Sequence, residues 1–164
     1  MSIISTVAVA VSMYTWVLCL ISTVLPYWTY QNLGHTIIHA GLWRTCTVHD
    51  GTSDCKKPSE GWIHAVQALM IISTLVLFLS MVCGCLKLKD ESRRKVAIVA
   101  TLSAVFGGCL VAAAVIVFGE KDKHNSSKFS AGFCLSIITA VTAFIAAVLF
   151  AFSRRNSGYT PLAP

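Results

Sequence analysis

Residues 41–55 read Gly-Leu-Trp-Arg-Thr-Cys-Thr-Val-His-Asp-Gly-Thr-Ser-Asp-Cys. Two cysteines bracket a polar stretch with Asp50-Gly51 at its centre. Asp-Gly is a strong two-residue hairpin signal, because a type I′ turn needs positive φ at both central positions. Counting outward, His49 faces Thr52, Val48 faces Ser53, Thr47 faces Asp54 and Cys46 faces Cys55. Hydrogen-bonded and non-bonded pairs alternate from the turn, so the cysteine pair is a non-bonded one, with Cα atoms about 4.5 Å apart. That separation lies within disulfide range. A cross-strand disulfide closing a ring of about ten residues contributes roughly 2.5–3 kcal/mol in the chain-entropy treatment. Two free thiols or a metal pair are the rival readings. The nearby His35, His39 and His49 do not make a compact ligand set.

The surroundings of this polar unit are unlike it. Of 164 residues, 55% are hydrophobic and 12% charged, and the mean hydropathy is +0.72. Soluble domains carry about 25% charge. From Met1 to Ile38 there is no Asp, Glu, Lys or Arg. Four stretches reach the roughly 20 apolar residues that cross a bilayer: 3–25, 62–86, 96–118 and 131–152. The expectation is one four-span membrane domain over 1–164, with outer loops 26–61 and 119–130, a cytoplasmic loop 87–95 and a cytoplasmic tail 153–164. The first stretch is read as retained. It lacks a basic start, and its apolar run exceeds the roughly 7–15 residues of a signal-peptide core.

Orientation follows from basic residues. Lys87 to Lys95 holds five in nine residues, and Arg154 and Arg155 follow in the tail. The other side holds Arg44, Lys56, Lys57, Lys121, Lys123 and Lys128, spread over much more sequence. Density places both termini and the 87–95 loop in the cytoplasm. The cysteine hairpin then faces an oxidising space, and the sequon at Asn125 faces the side where glycan is added. The net charge of +6 sets topology and meets anionic lipid; it needs no nucleic acid.

Trp28, Gly41-Leu42-Trp43, Cys46 and Cys55, in the first outer loop of a four-span chain, resemble the W–GLW–C–C signature. That signature marks the claudin, peripheral myelin protein and epithelial membrane protein superfamily. Val66-Gln67-Ala68-Leu69-Met70 looks like the epithelial membrane protein branch. Gly61-Trp62-Ile63-His64 and the tail Gly158-Tyr159-Thr160-Pro161-Leu162 look more like a branch of natural killer cell granule proteins. The resemblance implies an all-α membrane fold: a left-handed four-helix transmembrane bundle with a small extracellular antiparallel β-sheet. Residues 27–61 would supply most of that sheet, with Trp28 and Trp43 against its base. Two departures stand out. Claudins commonly end in a valine captured by scaffold domains, whereas this sequence ends Leu-Ala-Pro; epithelial membrane proteins often carry a sequon in the first loop, where Arg44-Thr45-Cys46 has none.

No charged residue lies deep within a span, and no nucleophile–base pairing is visible. The reading is non-enzymatic, with no cofactor, metal or small-molecule substrate, and with the lipid bilayer and other membrane proteins, in cis or trans, as partners. Gln67 and His64 are read as an interhelical hydrogen bond and an interfacial histidine. Cys19, Cys109 and Cys134 are read as small core residues. Cys83 and Cys85 are placed for S-palmitoylation, with helix-end packing as the plainer reading. Small residues recur every fourth position at Ser103, Gly107, Val111, at Ala104, Gly108, Ala112, and at Ala143, Ala147, Ala151. Such rows let helices approach closely, here within the chain's own bundle rather than at a dimer face. Tyr159-Thr160-Pro161-Leu162 fits a Tyr-x-x-Φ signal read by a clathrin adaptor, and Pro161 keeps it extended. Two functions follow: a granule, late-endosomal or lysosomal tetraspan protein acting in vesicle trafficking or exocytosis, or a cell-surface adhesion or tight-junction-type protein. A channel-auxiliary role rests on kinship alone.

Overall fold

The computed structural model describes residues 3–34, 36–49, 52–89, 94–122 and 128–156. Four long helices dominate: α1 (Ile3–Val24), α2 (Gly61–Lys89), α3 (Arg94–Asp122) and α4 (Ala131–Asn156). Helices are the form such apolar runs must take, because lipid offers no partner for backbone N–H and C=O groups. Even α1, with 22 residues, is about 33 Å long at helical rise, enough for the hydrocarbon core. The helices close a ring, α1 on α2, α2 on α3, α3 on α4 and α4 on α1. The chain is a multi-pass membrane protein with four spans.

The interior of the bundle inverts the soluble pattern. Along α1 the buried stripe includes Ser5, Ser12, Thr15, Cys19 and Ser22, whereas Val7, Tyr14, Val17, Leu20 and Ile21 point outward. Only 33–39% of the residues along the spans are buried, so most large apolar side chains face lipid. Lipid is as apolar as leucine, and burial of leucine between helices therefore gains little. Small residues and hydrogen bonds select the contact faces instead. Ser80 Oγ donates to the Ala100 carbonyl at 2.8 Å, tying α2 to α3. Cys19 Sγ lies 3.3 Å from Thr74 Oγ1, tying α1 to α2. The two rows on α3 diverge: a Cβ on Gly107 would sit 2.8 Å from Leu77 of α2, and one on Gly108 would sit 3.1 Å from Ala143 of α4. Both rows thus pack inside the monomer.

Three sequence expectations change here. Cys109 and Cys134 are exposed, not core; a thiol is small and weakly polar, and lipid accepts it as readily as a core does. Lys87, assigned to the loop, belongs to the last turn of α2 and is 3% exposed. Its ammonium donates to Ser153 Oγ of α4, which contacts Ser5 Oγ of α1. A lysine there also complements the helix C-terminal dipole. The helix outlasts the apolar run because interfacial polar residues continue it.

At the other end sits a five-stranded antiparallel sheet of β1 (Thr29–Asn32), β2 (Thr36–Ala40), β3 (Thr45–His49), β4 (Thr52–Lys56) and β5 (Lys128–Phe129). The order is β4-β3-β2-β1-β5. Four strands come from the first loop. The fifth comes from the second, pairing Thr29 with Phe129 and Tyr30 with Lys128. The chain order puts the start of α1, the end of α2, the start of α3 and the end of α4 away from this sheet.

Candidate functional site

The sheet is fastened to the bundle where α1 ends. That helix has no basic residue in its last turn, and its terminal carbonyls lack intrahelical partners. Two indoles supply donors. Trp28 Nε1 donates to the Ser22 carbonyl at 2.8 Å, and Trp43 Nε1 donates to the Thr23 carbonyl at 2.7 Å. The two rings differ in setting. Trp28 is fully buried, 4.9 Å from the Phe118 ring and 6.3 Å from the Phe133 ring. Trp43 is 41% exposed, a position suited to an interfacial indole.

Close approach explains two glycines. A Cβ on Gly132, at the start of α4, would lie 2.6 Å from Trp28 Cδ1. The Trp28 ring therefore occupies the space that any side chain at 132 would need. A Cβ on Gly41 would lie 2.6 Å from Pro26 Cα and 3.0 Å from the Leu25 carbonyl oxygen. The β2–β3 turn thus passes directly over the link between α1 and β1. That turn closes through Gly41 N donating to the Arg44 carbonyl at 2.9 Å. Leu42 is fully buried, and its carbonyl accepts from Gln67 Nε2 of α2. Gln67 Oε1 also lies 3.0 Å from His64 Nδ1. The expected interhelical bond is thus a helix-to-loop bond, because α2 begins beneath the turn.

Gly41→Ala collides with backbone atoms of a proline link, which have no rotamer to change. Overpacking of this kind costs about 1–3 kcal/mol. Gly61→Ala is the control, since nothing lies within 4 Å of a Cβ there. Urea titration in detergent micelles compares them. Equal midpoints for the two variants would show that the turn has room to move.

The hairpin beyond the turn has the register counted from sequence: Cys46 opposite Cys55, through to His49 opposite Thr52. The cysteines are joined, with Cα atoms 4.1 Å apart. Asp50 and Gly51 lie outside the described residues. Every residue of β4 is exposed, and β4 is an edge strand. Its Lys56–Asp54 ion pair, 3.2 Å, is open to solvent and contributes little. Asn125, Tyr159 and Leu162 also fall outside the described residues. Cys83 is buried near Val9, Ala100 and Phe150, while Cys85 is exposed. Among the described residues no group of three His, Cys, Asp or Glu side chains could hold a metal.

The model of the PMP-22/EMP/MP20/Claudin family matches residues 2–152. The chain belongs to that family. A comparison with curated proteins finds no match. In this PMP-22/EMP/MP20/Claudin member, then, Trp28, Gly41, Leu42 and Trp43 form one fastening that joins the sheet to α1 and α2. Sequence reasoning missed Pro26, Phe118 and Gly132, the surfaces those residues press against. Phe118 gave the one available signal, an aromatic side chain at the interfacial end of the third span.

Proposed function

We propose that this family member acts without catalysis. It works through lateral contacts with other membrane proteins, in membrane organisation and in vesicle or lytic-granule trafficking and exocytosis. The observation that carries this is Tyr159-Thr160-Pro161-Leu162, which begins three residues beyond Asn156, the last residue of α4. The bundle end from which it leaves also carries the dense basic residues of the 87–95 loop. Basic density supports a cytoplasmic setting for that end and for both termini. There an adaptor can read the Tyr and Leu side chains of an extended segment. Steady-state residence is then in granule, late-endosomal or lysosomal membrane, with transit through the plasma membrane. Of the two cysteines suited to acylation, Cys85 is the exposed one, which makes it the acceptor in this reading.

The test is Tyr159→Ala. Loss of a buried aromatic anchor at an interface costs about 2 kcal/mol or more, roughly thirty-fold in affinity. Surface biotinylation should show the variant accumulating at the plasma membrane with its internal pool depleted. An unchanged surface fraction rejects adaptor-driven sorting. The adhesion or junction reading would then stand, supported by the exposed β4 edge.

Asn125 tests the orientation separately. If the sheet end is luminal or extracellular, Asn125 carries glycan, with partial occupancy because it lies only a few residues along the chain from both flanking spans. Asn125→Gln should remove a slow-migrating band that glycosidase also removes. A single, glycosidase-resistant band in the wild type counts against modification at this site.

A further inference from the structure

The sheet does not lie flush on the helix ends. Between them is a cavity of about 330 Å³. Its roof is the inward face of β1 to β3, with Thr29, Gln31 and Thr45 offering polar groups. Its other walls include Glu60, which precedes α2, Trp62 in the first turn of α2, and Phe118 near the end of α3. The Trp62 and Phe118 rings meet edge to face, 5.6 Å apart. Trp62 Nε1 donates to a Glu60 carboxylate oxygen. A carboxylate has about four acceptor sites, so Glu60 keeps capacity for a ligand.

The lining fixes the charge of an occupant. Among the described residues Glu60 is the one charged side chain of the lining, so an anion meets no opposite charge there. A hard divalent cation asks for about six or more oxygen ligands, and one carboxylate with neutral groups is a poor set. A primary ammonium needs an acceptor for each of its three N–H bonds. Thr29, Gln31, Thr45 and Glu60 offer such acceptors, but Ile38, Ile63 and the two aromatic rings, which also line the wall, offer none, so a primary ammonium would give up hydration over that part of its surface. A quaternary ammonium has no N–H at all. Its methyl groups suit apolar walls, and its charge is attracted to aromatic faces and to the carboxylate. The depth agrees: Trp62 begins one span and Phe118 sits four residues before the end of another, the level at which headgroups lie.

We propose that this cavity binds the trimethylammonium group of choline, with Glu60, Trp62 and Phe118 as the cation site. The group comes from an outer-leaflet choline lipid or from soluble choline compounds. The proposal is independent of where the protein is sorted.

The experiment uses the full chain in nanodiscs of phosphatidylglycerol, which carry no choline. The indole N–H resonance of Trp62, assigned with Trp62→Phe, is followed while phosphocholine, choline chloride or phosphoethanolamine is added. Saturable movement with both choline compounds and none with phosphoethanolamine is expected. Glu60→Gln, which keeps the size of the side chain, should weaken choline binding about ten-fold. The buried Trp28 indole resonance reports that each variant is folded. A second arm uses phosphatidylcholine nanodiscs. If the Trp62 signal is already displaced there and phosphocholine adds nothing, the lipid headgroup is the source. If phosphocholine still moves it, the source is soluble. Three results overturn the proposal: no movement in either arm, an equal response to phosphoethanolamine, or unchanged affinity in folded Glu60→Gln.

Discussion

Trp28→Ala is expected to destabilise the protein by about 3–5 kcal/mol, the range for removing a large buried aromatic side chain. The ring is fully buried against Phe118 and Phe133, and Gly132 leaves room for it alone. Its loss opens a cavity at the junction of sheet and bundle, where α1, α3, α4 and β1 meet. It also takes the indole donor from the Ser22 carbonyl. Trp28→Phe separates these effects. It keeps most of the ring but not the N–H, and should lose only about 1 kcal/mol for the hydrogen bond plus a smaller packing deficit. Urea titration in micelles, monitored at the remaining tryptophans, gives both values. Equal losses for the two variants would mean that the hydrogen bond to α1, and not the filled volume, holds the sheet down.

Removal of the Cys46–Cys55 bond should have the next largest effect, and a local one. The ring closure contributes about 2.5–3 kcal/mol, and β4 has little else to hold it: its residues are all exposed and it has one neighbour strand. In a Cys46→Ser, Cys55→Ser double variant, hydrogen exchange at β4 amides should speed up by about a hundred-fold. The α2 and α3 amides should keep their protection, since these helices pack on each other and on α1 and α4. Mass spectrometry of unreduced wild-type protein should first recover the two cysteines in one linked peptide. Full retention of β4 protection in the double variant would show that the strand ladder suffices without the bond.

Much of the candidate site could be read before folding, for reasons that are local. The pairing of Cys46 with Cys55 follows from a two-residue connection and strand alternation, so arithmetic along the chain reaches it. The residues Trp28, Gly41, Leu42 and Trp43 stood out as a pattern, but their work did not. That Trp28 donates to a carbonyl six residues back and Trp43 to one twenty residues back, both at the end of α1, depends on how the first loop folds over that end. That Gly41 must lack a side chain depends on Pro26 lying beneath it. Neither relation leaves a mark in the spacing of either residue.

By itself, the sequence determined the number of spans and the existence of the hairpin. Apolar length and the absence of charge settle the first, since a bilayer imposes a fixed thickness. Only the tertiary structure decided which face of each helix turns inward. Hydrophobicity cannot do so when lipid and protein interior are equally apolar, and Cys109 and Cys134 were missided for that reason. The burial of Lys87 was hidden because its partner Ser153 lies 66 residues away. β5 was hidden for a different reason: two residues, Lys128 and Phe129, are too few to show alternation, and they form a strand because β1 offers an open edge beside the start of α4.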